Sequence, residues 1–450
     1  MSEIDRSGAA VSSRVAIVFV VRVTVAVIGL VNAFLLASLL GPEGKGDFYI
    51  GQLLPMTIFV LGQFGLTSAI SYFAGKGRTR GLTRRAILLG IVLSVAGVAL
   101  TLALMPTLEA TVFRNIDPVV LVGSLAIAPS LFLISFSNSI LTGRQRIVAY
   151  GMLAIGQVIA AVVLFAVFIG VLDLGAPGAV LAYFLFSTAT AIAAVILAAR
   201  ATREPVDEPP ARFGELFGYG IRLYPASLSG FFSYRADAYI LALLLASPTA
   251  LGLYSIAVGL AELVFFLPDS VVLVFFPHVA GGTREEADRT APVVSRVTVA
   301  MTGMAALALV PAAVVAINVA LPAFVDGLPA LFVLLPGVVA LSISKVMTAY
   351  MNGLGRTTFV SFMATTSFIL NVVMNFVLIP PFGIVGAAAA SLISYTFGAA
   401  LAVAFSSRLS GSPVLSFLIP TRADVSDALT MGTTMLSRVI ARLRTVESGS

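Results

Sequence analysis

The chain has 450 residues, of which 59% are hydrophobic and 11% charged, and its formal net charge is +6. A soluble globule carries about a quarter charged residues, so this composition excludes one and points to an all-α polytopic membrane protein. With no cysteine and His278 as its single histidine, the chain has no disulfide, no thiolate metal site and no histidine cluster, and no cofactor is expected.

Taken in order, apolar runs separated by Gly, Pro or charge predict spans near residues 15–40, 48–74, 85–106, 118–141, 148–172 and 177–199. The first run, Val15 to Leu40, is too long for the apolar region of a cleaved signal peptide and reads as a retained span. Residues 200–216 are polar, Pro-rich and of mixed charge, as in a solvated connector with a short surface helix. Further spans follow near 218–246, 251–280, 292–320, 327–353, 358–380 and 384–406, which makes twelve. The expected organisation is an N-terminal segment 1–14, a first lobe 15–199, the connector 200–216, a second lobe 217–407 and a tail 408–450.

Alternating the loops across a bilayer puts 21 Lys and Arg residues on the side of the N-terminus and only Lys45 and Arg114 on the other. Basic loops stay cytoplasmic, so both termini are expected there. In the tail, Val425, Ala428, Leu429, Met435, Leu436, Val439 and Leu443 share one face, with Arg438, Arg442 and Arg444 largely off it. That pattern suits an amphipathic helix on an anionic leaflet.

The two halves resemble each other. Leu39-Leu40, Pro42 and Gly46-Asp47-Phe48-Tyr49 return as Leu244-Leu245, Pro248 and Gly252-Leu253-Tyr254. Gly143-Arg144-Gln145-Arg146 returns as Gly353-Leu354-Gly355-Arg356, and Gly175 with Gly178-Ala179 as Gly383 with Gly386-Ala387. Matches in order at nearly one offset indicate a duplication of six spans. Six is even, so the copies have one orientation and are related by a pseudo-two-fold axis along the membrane normal.

The first loop LLGPEGKGDFY, the residues Arg235-Ala236-Asp237 with Gly252-Leu253-Tyr254, and the run Asn371 to Tyr395 resemble lipid-linked oligosaccharide flippases. These form the polysaccharide-export branch of the superfamily that also holds multidrug and toxin extrusion antiporters and lipid II flippases. The resemblance runs from Arg14 to about Arg408. It implies a V-shaped pair of six-helix lobes in a bacterial inner membrane, moving an undecaprenyl-diphosphate-linked glycan outward by alternating access for cell-surface polysaccharide synthesis. It also implies a cationic cavity for the diphosphate. The expected partners are this lipid-linked glycan, membrane lipid and the polymerase or ligase machinery of polysaccharide assembly; a monomer is expected, with no nucleic acid. An ion-coupled multidrug-type antiporter is the alternative. An enzyme is not expected, because the predicted external loops are too short to carry a catalytic constellation.

Four cations fall inside predicted spans: Arg22, Arg222, Arg235 and Lys345. Arg235 stands fifteen residues from Gly220 and eleven from Ala246, near the bilayer midplane, where a charge costs about 2.5–3.5 kcal/mol unless it faces a polar cavity or a partner. A guanidinium binds phosphate oxygens bidentately and stays charged anywhere, so Arg235 is the leading diphosphate ligand; an internal ion pair is the competing account. Arg22, about 12 Å into the first span, and Arg222, a turn into the seventh, either line the cavity or snorkel to the headgroups, and Lys345 faces the same alternative. Asp237 lies about 200° around the helix from Arg235 and is expected to partner another helix. Glu262 and Asp269, seven residues apart, share a face with Pro268 between them, and either carry a coupling ion or neutralise Arg235 or Arg22. Asn371 and Asn375 read as interhelical hydrogen-bonding residues, and His278 as an interfacial residue without function.

Overall fold

A computed structural model describes residues 3–203 and 209–419. The predicted tail helix lies outside the described residues. Ten helices among the described residues are long and apolar enough to cross a membrane, and the predicted spans fall on them, except that the second, 48–74, is interrupted at residues 63–65, where Gly65 takes φ 70, and continues as a separate ten-residue helix, Leu66–Gly75. Two of the ten carry two predicted runs each, because the helix passes through a break at Gly41 in α1 (Glu3–Gly62) and at Gly383 in α12 (Thr357–Ser410). The expected loop around residues 41–47 is therefore a single-residue corner. Gly41 takes φ 65 and ψ 179, a backbone state open essentially to glycine, and Pro42 restarts the helix at the one position where a missing N–H costs nothing.

The remaining helices are α2 (Leu66–Gly75), α3 (Leu82–Thr111), α4 (Pro118–Leu125), α5 (Ala128–Gly143), α6 (Ile147–Phe165), α7 (Gly175–Ala201), α8 (Phe213–Leu245), α9 (Pro248–Gly281), α10 (Arg284–Ala320), α11 (Leu328–Gly353) and α13 (Leu415–Leu418). The chain divides into two compact units, Met1–Ile256 and Ala257–Ser450. The first unit thus holds the six spans before the connector together with α8 and the start of α9.

In lipid there is no hydrophobic drive between helices, so association depends on close packing of small residues. In the first unit α7 shows this plainly: Ala176, Ala179, Ala182, Ser187, Ala191, Ala194 and Ala198 are buried along its length. They let α7 approach α1, α5 and α6, and a ring cluster fills the space that is left. Phe48 meets Phe165 and Tyr183 edge-on at 5.6 and 6.2 Å, and Phe186 completes the cluster. The large apolar side chains left exposed, such as Val95, Val119, Met152 and Leu174, suit a lipid-facing surface.

In the second unit the corresponding small-residue face belongs to the latter half of α12, where Ala387, Ala388, Ala390, Ser391, Gly398, Ala399 and Ala402 are buried. The break at Gly383 folds this half back on the first. Asn371 then donates to Ser394 Oγ at 3.1 Å and Ser391 Oγ at 3.4 Å across the bend, while Asn375 donates to Asn371 O at 2.9 Å. Asn371 thus makes the interhelical bonds expected of the pair, whereas Asn375, among the described residues, bonds only to Asn371, one turn back on its own helix segment, and supports the bend through it.

Candidate functional site

Three of the first unit's four predicted intramembrane charges, Arg222, Arg235 and Asp237, sit on α8, and the fourth, Arg22, is on α1. Helix α8 runs antiparallel to α1 and α2, and three pairs of contacts fix the register. Gly220 meets Gly65 backbone to backbone: a Cβ on Gly65 would lie 2.1 Å from Gly220 O. Tyr224 donates to Leu61 O at 2.5 Å. Tyr239 donates to Leu53 O at 3.1 Å and is bonded by Thr57 Oγ1. A hydroxyl bonded to a helix carbonyl is a strong tie in a medium without water, because no solvent stands ready to replace the carbonyl as its partner.

Arg235 lies between the two tyrosines. It is eleven residues from Tyr224, three turns and about 20°, and one turn from Tyr239, so all three lie along one stripe of α8. Its side chain is half-buried. Position 235 is therefore on the stripe of α8 that meets α1, between two hydroxyl ties. Arg222 lies two residues from Gly220, off this stripe, and is exposed. Arg22 is on α1, and its side chain lies outside the described residues.

Asp237 has its partner on the next helix. It is 7% exposed, and its carboxylate accepts from Tyr254 Oη on α9 at 2.5 Å and from its neighbour's amide, Ala238 N, at 2.8 Å. A short hydrogen bond from a phenol stabilises a buried carboxylate strongly, and it ties α8 to α9 just past the Ala246 corner.

In the second unit the structure joins two of the predicted charges. Lys345 on α11 donates to Asp269 on α9 at 2.6 Å and stands 4.4 Å above the Phe265 ring. Asp269 therefore has Lys345 beside it, a pairing the sequence reading did not consider. Side-chain direction explains the meeting. A helical side chain tilts toward the N-terminus of its helix, so the lysine stem points away from the Gly353 end and deeper along α11, toward Asp269. The snorkelling alternative would need the opposite tilt. Glu262 is half-buried on α9, two turns before Asp269, and α9 continues as helix through Pro268. His278 is exposed, 3.8 Å from Glu286.

Tyr224, Tyr239 and Thr57 were not singled out from the sequence, and Tyr254 only as part of a repeated motif. A tyrosine in an apolar run carries no sign of its partner, and each of these bonds is to another helix.

A family model described as polysaccharide biosynthesis protein matches residues 12–280. No curated protein matches the sequence. Among solved structures, the lipid II flippase MurJ in an inward closed conformation is similar with a TM-score of 0.72 at 14% identity, covering 94% of this chain and 92% of that one. An inward-facing multidrug resistance MATE family transporter of the MOP superfamily is similar with a TM-score of 0.67 at 15% identity, covering 86% and 95%. A MATE crystal structure in the straight conformation gives 0.57 at 17% identity, covering 89% and 96%. At such identities the likeness is one of fold. The family model covers more than half of the chain, and the protein belongs to the polysaccharide biosynthesis protein family, with the all-helical membrane fold that MATE transporters and MurJ share.

Proposed function

We propose that the protein is a flippase that carries an undecaprenyl-diphosphate-linked oligosaccharide from the cytoplasmic to the outer leaflet of a bacterial inner membrane, with both its termini in the cytoplasm. The observation that carries this reading is Arg235: a half-buried arginine in the middle of a membrane-length helix, whose neighbouring carboxylate Asp237 is bonded to Tyr254, in a chain of a polysaccharide family. A diphosphate suits this placement, because each phosphate offers the paired oxygens that a guanidinium fork fits. A cationic drug, the substrate of a multidrug-type antiporter, would be repelled by the same residue. Lys345, held by Asp269 and Phe265, is a second cation for acidic sugars or phosphate, released when an anion outcompetes the carboxylate. Alternating access through the MATE-type fold supplies the route.

The test is transport by the purified protein. In proteoliposomes containing a fluorescent polyprenyl-diphosphate oligosaccharide, wild-type protein exposes the glycan to an external quencher. Arg235→Ala reduces the rate at least about tenfold, which corresponds to ~1.4 kcal/mol and is modest for a charge-assisted bidentate contact. Arg235→Lys retains part of the rate, since it keeps the charge and loses the fork. Full transport by an Arg235→Ala protein would remove the arginine from the mechanism, and extrusion of cationic dyes in place of glycan transfer would favour the antiporter.

A further inference from the structure

Arg78 lies in the turn between α2 and α3, and Glu215 in the first turn of α8, 137 residues later. The guanidinium grips the carboxylate with both arms: Nη1 donates to Oε1 at 2.9 Å and Nη2 to Oε2 at 2.8 Å. Its Nε donates to Pro209 O at 2.9 Å, and Nη2 also reaches Pro210 O at 3.2 Å. Four donor contacts from one side chain thus fasten the end of the connector and the start of α8 together. Glu215 Oε2 also accepts from Arg212 N at 2.7 Å, so the carboxylate that caps α8 is the one that Arg78 holds. The face of Phe73 carries the guanidinium at 4.9 Å. Next to the pair, Tyr72 stacks on Tyr219 at 4.5 Å and Gly65 meets Gly220.

We propose that Arg78 and Glu215 form a latch that holds the connector end of α8 shut against α2, and that the latch parts when this end of the seam opens to admit substrate. The latch rests on the transport reading for its purpose and on geometry for its existence. Three features make it a latch and not a fixed brace. Its side chains are 19% and 40% exposed, so water can replace each partner when they separate. Ring stacking and a glycine backbone contact lie beside it and part without stranding a charge; the Arg85 guanidinium faces the Phe213 ring at 6.0 Å, and the Tyr224 bond to Leu61 O lies one turn beyond Gly220 along α8. Pro209 and Pro210 stiffen the connector beside Glu215, so the segment moves as one piece with the start of α8. Arg78 is legible in the sequence only as one of many cytoplasmic cations; nothing there pairs it with Glu215.

The chain contains no cysteine, so one engineered thiol reports without background. Ala211, between Pro210 and Arg212, is 0% exposed. Ala211→Cys protein in nanodiscs, without substrate, is labelled with a maleimide. Arg78→Ala and Glu215→Gln each raise the labelling rate, by up to about tenfold. The exchange Arg78→Glu with Glu215→Arg returns the rate toward that of the parent. Salt at about 1 M, where the screening length is roughly 3 Å, raises the rate in the parent itself, so the test stands even where a substitution impairs folding. Rates indifferent to both substitutions and to salt overturn the latch, and so does an exchange variant that labels as fast as the single variants. In transport assays, a bis-maleimide bridge between Arg78→Cys and Glu215→Cys stops glycan transfer; transfer by the bridged protein overturns the latch. Wild-type protein that shows the labelling pattern but moves no glycan counts against the transport reading alone.

Discussion

Gly46 and Gly252 make the same contact in opposite senses. A Cβ on Gly46 would lie 1.8 Å from the carbonyl oxygen of Pro248, and a Cβ on Gly252 would lie 1.8 Å from that of Pro42. Each glycine therefore rests on the backbone of the proline four residues before the other, and both pairs are separated by the same 206 positions. Neither contact can admit a methyl group, since the obstacle is backbone.

Gly46→Ala and Gly252→Ala are accordingly expected to destabilise the protein by about 1–3 kcal/mol each, the usual cost of overpacking. Gly156→Ala is the control, because its Cβ meets nothing within 4 Å in the middle of α6. Thermal unfolding in detergent should show a lower Tm for the first two and an unchanged or higher Tm for the third. Equal behaviour of all three would mean that the α1–α9 contact contributes nothing to stability.

The Lys345–Asp269 pair is expected to respond asymmetrically. Lys345 is 16% exposed and Asp269 50% exposed, so deleting the aspartate strands the more buried charge. Asp269→Ala should lower stability more than Lys345→Ala, and the double variant should recover about 1 kcal/mol of the summed loss. A double-mutant cycle by chemical unfolding measures this; strict additivity would show that the two charges are not coupled.

Acid should release the contact at the start of α8. The Arg78 guanidinium, helped by the Arg212 amide, holds Glu215 below the usual carboxylate range. A carboxylate depressed in the folded state stabilises that state above its unfolded value of about 4.3, and the stabilisation disappears as pH falls through the lower folded value. The Tm difference between wild type and Glu215→Gln should therefore be present at neutral pH and shrink below about pH 4. A difference of the same size at pH 3 and pH 7 would show that the bond to Arg78 does not depend on the charge of Glu215.

Orientation follows from the cation distribution. Reporter fusions after Arg80, Arg212 and Arg422 should report cytoplasm, and fusions after Lys45 and Arg114 the outside. Reversal at two of these positions would sink the assigned topology.

The sequence by itself determined what the bilayer demands. Long apolar runs must become helices because lipid offers no partner to a free N–H or C=O, so the spans were legible from Val15 to Ser406, and the glycines and prolines that break them were visible as breaks. Local direction was legible too: residues 235 and 237 point apart on any helix, and Asp237 duly finds Tyr254 on the next one. Arg235 stood out because a charge among apolar residues is anomalous without knowledge of any neighbour.

Only the tertiary structure decided which groups meet. Lys345 and Asp269 are 76 residues apart, Thr57 and Tyr239 182, and Arg78 and Glu215 137, and nothing local marks any of these pairs. A hydrogen bond is specified by positions in space to within a few tenths of an ångström, whereas periodicity specifies only which face of a helix a residue occupies. Gly46 and Gly252 show the same division: the sequence displays them as matching positions in two copies, and the fold alone sets each against the other's proline.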